Sequence, residues 1–258
     1  MLVLSLFSGI GLLDRAFKEA GFCVVSAGDL ILGQDIRNFK AIANKFDGII
    51  GGSPCQDFST LKRDKGTYSL EMVDEFMRVV KEAEPSWWLL ENVKGVPDVV
   101  IDDYSHQRID INQGWYSDTS RLRHIQFGSK DDLYLDIPRG SMEGVENSCA
   151  LASDDRSFRE LCYLQGLEDS FDLPDFNVAG KKKAVGNGVP LVIGRVLADA
   201  VKIATNMSQT IDQGPSHKSS AADSHERCPC GCKRVLIGRK KYYDSSCRKR
   251  AQRKRESA

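Results

Sequence analysis

Short apolar runs alternate with amphipathic stretches along most of the chain. Leu2–Phe7 is a compact apolar run, the mark of a buried strand. The turn SGIG follows it. Then comes LLDRAFKEAG, whose apolar positions recur at helical spacing and which closes on Gly21. FCVVSAGD reads as a second strand ending in an acidic residue, and FDGIIGGSPC as a third ending in a Gly/Pro turn. MVDEFMRVVKEAE has the period of an amphipathic helix, and SWWLLENV reads as a further strand. SFRELCYLQGL and VPLVIGRVLADAVKIATNM read as helices, the second introduced by a turn at AVGNGVP. Strands and helices alternating at these lengths predict an α/β fold, with a parallel sheet covered by helices on both faces. Residues 129–156 are polar and aperiodic, so a loop or small insertion is expected there. Residues 213–226 have the composition of a linker, which divides the chain into a body over 1–212 and a module over 227–258.

Composition narrows the class. Of the 258 residues 41% are apolar and 28% charged, which excludes a wholly disordered or fibrous chain. No stretch approaches the ~20 apolar residues of a bilayer span, and the apolar start lacks a basic leader region and a cleavage site. A cytoplasmic protein without a membrane partner is expected. The net charge of zero hides an asymmetry: Arg227–Ala258 carries 12 basic side chains against Asp244 and Glu256, a net +10, leaving −10 on residues 1–226. A basic terminus of this kind suits phosphate backbones. The cysteines divide in the same way. Cys23, Cys55, Cys149 and Cys162 are scattered, whereas Cys228, Cys230, Cys232 and Cys247 cluster in the basic module as a candidate tetrahedral zinc site, with His225 as a substitute ligand.

Several segments carry candidate chemistry. The glycine turn SLFSGIGLL after the first strand lets backbone approach a ligand closely. Asp29, ending the second strand, is placed to accept hydrogen bonds from ribose hydroxyls, and Asp35 to bond an exocyclic amine. In GGSPCQDFS a cysteine follows proline beyond a strand end, where α/β proteins do chemistry, and its thiolate is a nucleophile. Glu91, at the end of SWWLL, is costly to bury as an anion and suited to being held protonated. Arg121 and Arg123 lie two apart, on one face if the segment is extended, which suits a carbonyl oxygen or phosphates.

In order and spacing these pieces resemble the DNA (cytosine-5) methyltransferase family. FSGIG resembles its S-adenosylmethionine motif, GGSPCQDFS its catalytic-cysteine motif, ENV its glutamate motif and TSRLRH its paired-arginine motif. RELCYLQGL and AVGNGVP resemble its last two motifs. Ser53 stands where the family usually has Pro, Leu12 where it has Gly, and Thr119 where it has Gln. The resemblance covers Leu2 to Ala204. It implies a Rossmann-like S-adenosylmethionine-dependent methyltransferase fold, with a mostly parallel sheet flanked by helices plus the small Cys-rich module.

The resemblance also implies the site. Cys55, Glu91, Arg121 and Arg123 are the catalytic set, the arginines helping to lower the thiol pKa. Phe7, Gly9, Ile10, Gly11, Leu12, Asp29, Leu30, Asp35, Ile36, Ser53, Pro54, Asn187 and Val189 bind the cofactor. Gln56 and Ser59, with Arg239, Lys240, Lys241 and Arg248 of the basic module, contact double-stranded DNA. The activity implied is methyl transfer from S-adenosylmethionine to cytosine C5, leaving S-adenosylhomocysteine, with the base flipped from the duplex. A monomer is expected, with a cognate restriction endonuclease as a functional partner. The region left for target recognition, Ser129–Arg156, can carry few side chains into a groove, so a short or relaxed site is expected. The competing readings are a tRNA cytosine-5 methyltransferase and a catalytically silent DNA-binding protein.

Overall fold

The computed structural model describes residues 1–58 and 66–212, the side chains of 207–212 excepted. The chain begins with β1 (Leu2–Leu6), α1 (Leu12–Glu19), β2 (Cys23–Ala27) and β3 (Gly48–Gly51). After α2 (Tyr68–Ala83) come β4 (Trp87–Asn92), β5 (Gln107–Asn112), β6 (Thr119–Ser120), β7 (Leu122–Ser129) and β8 (Asn147–Ser148). Three helices follow: α3 (Phe158–Leu164), α4 (Val178–Asn187) and α5 (Leu191–Asp212). Six strands form one sheet in the order β2-β1-β3-β4-β7-β5, and β6 pairs with β8 in a separate ribbon.

The period-two alternation of each strand feeds two different cores. Val3, Ile50, Trp87 and Leu89 face Leu13 and Phe17 of α1 and Ile193, Leu197 and Val201 of α5. Their neighbours Leu4, Ile49, Trp88 and Leu90 face Val73, Phe76 and Val80 of α2. Both tryptophans need room within the sheet, and glycines on adjacent strands supply it. A Cβ on Gly48 would lie 2.1 Å from Trp87 Cζ2, and one on Gly128 2.4 Å from the Trp88 indole. Gly48→Ala therefore overpacks a fully buried ring, at an expected cost of about 1–3 kcal/mol. Thermal unfolding should show it as a clear drop in Tm, and an unchanged Tm would contradict this packing.

The register positions the site. Leu6 pairs with Ala27 and with Gly51, and Gly51 pairs with Leu90. Phe7, Gly28, Gly52 and Glu91 therefore emerge side by side at the carboxyl edge, where open parallel sheets place their ligands.

The sheet is mostly parallel, as the resemblance implies. β1, β2, β3 and β4 are parallel, but β7 runs antiparallel to both β4 and β5. The connection from Asn112 to Leu122 is too short for a crossover helix, and only an antiparallel return is open to it. β5 itself was not foreseen, nor was α4. Ala184–Asn187 form the end of α4 rather than a turn before the last helix, with Asn177 accepting from the Gly180 amide as its N-cap. Residues 130–146 are irregular, as expected, and β8 adds only a short pairing to β6. Val178–Asn206 does reach the length and hydropathy of a membrane span, but 61% of that window is buried within the fold, where α5 packs as a core helix against α1.

Candidate functional site

The carboxyl edge of the sheet opens into a cleft of about 270 Å³. One end is built by the glycine turn. Phe7, Gly9 and Gly11 all have positive φ, and Gly11 starts α1 in the left-handed conformation. A Cβ on Gly9 would meet nothing within 4 Å, so its backbone stands bare at the cleft wall. The Gly9 amide donates to Asp29 Oδ2 at 2.8 Å, and Asp29 Oδ1 accepts from the Ile31 amide at 2.7 Å. This carboxylate ties the first turn to the end of β2. Leu30, Ile31, Asp35 and Ile36 continue the wall, the Asp35 carboxylate being ion-paired with Arg37 at 2.6 Å. Asn187, Gly188 and Val189 close it from the α4–α5 junction.

The other end holds Cys55, Glu91 and Arg123. Arg123 Nε lies 2.9 Å from Glu91 Oε1, and both side chains are largely buried. The β4–β7 register pairs Asn92 with His124, which brings Arg123 level with the end of β4 beside Glu91. Asn92 Nδ2 donates to the Ser53 hydroxyl at 2.9 Å and to the Ser53 carbonyl at 3.1 Å, fastening the cysteine loop to the glutamate strand. Asp57 anchors the far side of that loop: its carboxylate accepts from the Gly66 and Ser69 amides, while its own amide donates to Ser69 Oγ.

Electrostatics here run partly against the sequence expectation. Burial raises the Glu91 pKa above the usual carboxylate value despite Arg123 and Arg121, which eases its protonation although it is ion-paired with Arg123 in the free protein. Burial also pushes the Cys55 thiol up, and the nearby Glu91 charge adds to it. The two arginines pull the thiol down without overcoming these effects. In the free protein the thiol is thus held in its neutral form, although both arginines act on it in the expected direction.

Three further corrections concern placement. Gly11 and Leu12 do not line the cleft: Gly11 is spent on the helix start, and Leu12 packs with Leu161 and Val185 behind the Gly188 turn. Arg121 does not share a face with Arg123. It falls between β6 and β7, and its guanidinium is committed to the carbonyls of Ala150, Gly186 (2.9 Å) and Gly188 (3.2 Å). The other candidate cofactor residues, and Gln56, do line the cleft. Sequence reading missed Tyr68 and Met72, which α2 brings to the wall, and Asn92, whose only signal was its place after Glu91. Ser59, Arg239, Lys240, Lys241, Arg248 and the cysteines 228, 230, 232 and 247 lie outside the described residues. Among the described residues no cluster of three potential metal ligands occurs.

Residues 31–99 match the family model for C-5 cytosine-specific DNA methylase. The Type II methyltransferase M.HgiGI of Herpetosiphon aurantiacus is 31% identical over 115 residues, which is 36% of this chain and 91% of that relative. The chain belongs to the C-5 cytosine-specific DNA methylase family.

Within this methylase family the alignments are partial. The Type II methyltransferase M.FnuDI of Fusobacterium nucleatum is 35% identical over 114 residues, 37% of this chain. The chain spans about a third of the length of M.FnuDI and of M.NgoPII from Neisseria gonorrhoeae, 33% and 34%. Among solved structures, a candidate DNA modification methyltransferase encoded within an E. coli prophage superposes with a TM-score of 0.62 at 18% identity, covering 80% of this chain and 99% of that one. The S. pombe Dnmt2 methyltransferase superposes at 0.56 and 14%, covering 79% and 98%. At such identities the likeness shows a shared fold alone.

Proposed function

We propose that the protein transfers a methyl group from S-adenosylmethionine to C5 of cytosine in double-stranded DNA, through a transient bond between Cys55 and C6 of a flipped base. The observation that carries this reading is the convergence of Cys55, Glu91 and Arg123 at one end of a single cleft, whose other end is a bare glycine turn held by Asp29. The turn and the apolar wall of Phe7, Leu30 and Ile36 fit a nucleoside-bearing methyl donor, with Asp29 toward its sugar and Asp35 toward its base. Bound there, the donor supplies an electrophilic methyl group.

The chain's own residues do the rest. Cys55, once ionised, adds to C6 and makes C5 enamine-like. Glu91, whose pKa burial raises, takes up a proton as the base enters and donates to N3 as charge develops on the ring. Arg123 bonds the base carbonyl and holds Glu91 in place. After C5 takes the methyl group, its proton passes to solvent and the Cys55 thiolate is expelled, which regenerates the enzyme. Because the ring faces of a stacked base are closed, the base must be flipped out, at a cost of a few kcal/mol.

The basic module adds salt-sensitive, sequence-independent affinity for DNA, and its four cysteines are a zinc site by composition. A restriction endonuclease of the same specificity is the functional partner that the Type II relatives suggest. Incubation with labelled donor and either unmethylated DNA or tRNA tests the reading, followed by bisulfite mapping of the DNA. Label is expected in DNA, at cytosines in a short or relaxed context. Label in tRNA alone would favour an RNA substrate, and a stringent site of about six base pairs or more would refute the short-site expectation.

A further inference from the structure

Arg121 is 3% exposed, yet no carboxylate bonds its guanidinium. Nη1 donates to the Ala150 carbonyl, Nη2 donates to those of Gly186 and Gly188, and Nε has no hydrogen-bond partner. Burying a guanidinium that no carboxylate contacts is expensive even with the Glu91 charge acting on it, and a cation at this position asks for an explanation. Its three acceptors belong to two functional parts. Ala150 lies in the segment between β7 and α3 that is left to read DNA. Gly186 and Gly188 flank Asn187, on the cofactor wall.

The two parts also touch directly. A Cβ on Gly186 would lie 2.4 Å from the Leu151 carbonyl and 2.6 Å from the Ala152 nitrogen, so the backbones are in contact. Gln165 braces only the wall, donating to Val185 and Gly188 carbonyls at 2.5 and 2.9 Å. Arg156 braces only the recognition segment, donating to the carbonyls of Ser148 and Cys149. Arg121 grips both.

We propose that Arg121 is a positioning residue that couples occupancy of the cofactor cleft to engagement of DNA by the recognition segment. This rests on the methyltransferase reading above. A ligand that orders Asn187 and its flanking carbonyls also orders the guanidinium, and through it Ala150. DNA then meets a recognition segment whose ordering entropy is already spent, and by reciprocity DNA tightens the cofactor cleft.

The test uses the full chain, S-adenosylhomocysteine as the cleft ligand, and a duplex in the cytosine context found by methylation mapping. Saturating S-adenosylhomocysteine should tighten duplex binding by a factor in the usual coupling range of about 5 to 150, and Arg121→Lys or Gly186→Ala should bring that factor close to one. Gln165→Met should weaken S-adenosylhomocysteine binding yet keep the factor, which a merely structural role for Arg121 would not separate. Hydrogen exchange on the wild-type protein decides the matter if the variants do not fold: S-adenosylhomocysteine alone should protect amides 149–152, which do not line the cleft. A wild-type factor of one, variants that keep the wild-type factor, or protection confined to the cleft would each overturn the coupling. A wild-type protein that neither binds S-adenosylhomocysteine nor methylates DNA would instead overturn the methyltransferase reading itself.

Discussion

Cys55→Ser should lower DNA methylation by at least about 10⁴-fold, a loss of the size seen when a covalent nucleophile is removed. Cytosine C5 is too weakly nucleophilic to take a methyl group unaided, so the proposed reaction depends on a thiolate adding at C6. Serine offers a hydroxyl of far higher pKa in the same half-buried position. Binding of S-adenosylhomocysteine should survive, because Cys55 sits at the opposite end of the cleft from Gly9 and Asp29. A duplex carrying 5-fluorocytosine should trap the wild-type protein, because fluorine cannot leave C5 as a proton does. Peptide mapping should find the adduct on Cys55 and on no other cysteine. A folded, ligand-bound protein that forms no adduct there would remove the nucleophile assignment.

Glu91→Gln should cut the rate by about 10²–10⁴-fold, the usual worth of a positioned proton donor. It should also move Cys55 in a stated direction. Glu91's charge is the second-largest influence raising the thiol pKa, after burial, and Arg123 is the main influence lowering it. A neutral amide no longer repels the thiolate, and it frees Arg123 from its ion pair. The Cys55 thiol should therefore ionise at lower pH in the variant than in the wild type. Iodoacetamide labelling of Cys55 against pH, read by peptide mass, measures this. The wild-type labelling curve should rise above the usual thiol range, and the variant curve should lie to its left. Coincident curves, or a shift to higher pH, would contradict the electrostatic account.

The state of the thiol bears on how the proposed reaction would start. The free protein holds the thiol neutral, which protects a half-buried cysteine from oxidation and alkylation. A base that takes hydrogen bonds from Glu91 and Arg123 would change the thiol's surroundings at the moment a nucleophile is needed. The pH curve with bound duplex should then move toward that of the variant.

Much of this was legible in the residues. The glycine turn after β1, the cysteine after β3, Glu91 at the end of β4 and Asn187 before the last helix all fell where the pattern put them, on the walls of one cleft. Such features are local: a strand ends where its apolar run ends, and a glycine turn needs only its own backbone freedom. Residues that missed the cleft did so for non-local reasons. Leu12 follows the glycine turn directly, yet it is drawn into the cluster with Leu161 and Val185, far along the chain. Tyr68 and Met72 reach the wall only because α2 packs across the sheet there.

By itself the sequence determined the alternation of strands and helices from β1 to β4, the motif set and the split between an acidic body and a basic, cysteine-rich end. Periodicity, turn chemistry and charge are written residue by residue and need no partner from elsewhere. Tertiary structure decided that β7 returns antiparallel, that Arg123 pairs with Glu91 while Arg121 turns to three backbone carbonyls, and that Cys55 is held protonated. Each of these outcomes depends on which distant groups surround a side chain and how much water they exclude, and desolvation in a packed interior outweighs the charge of neighbours in sequence.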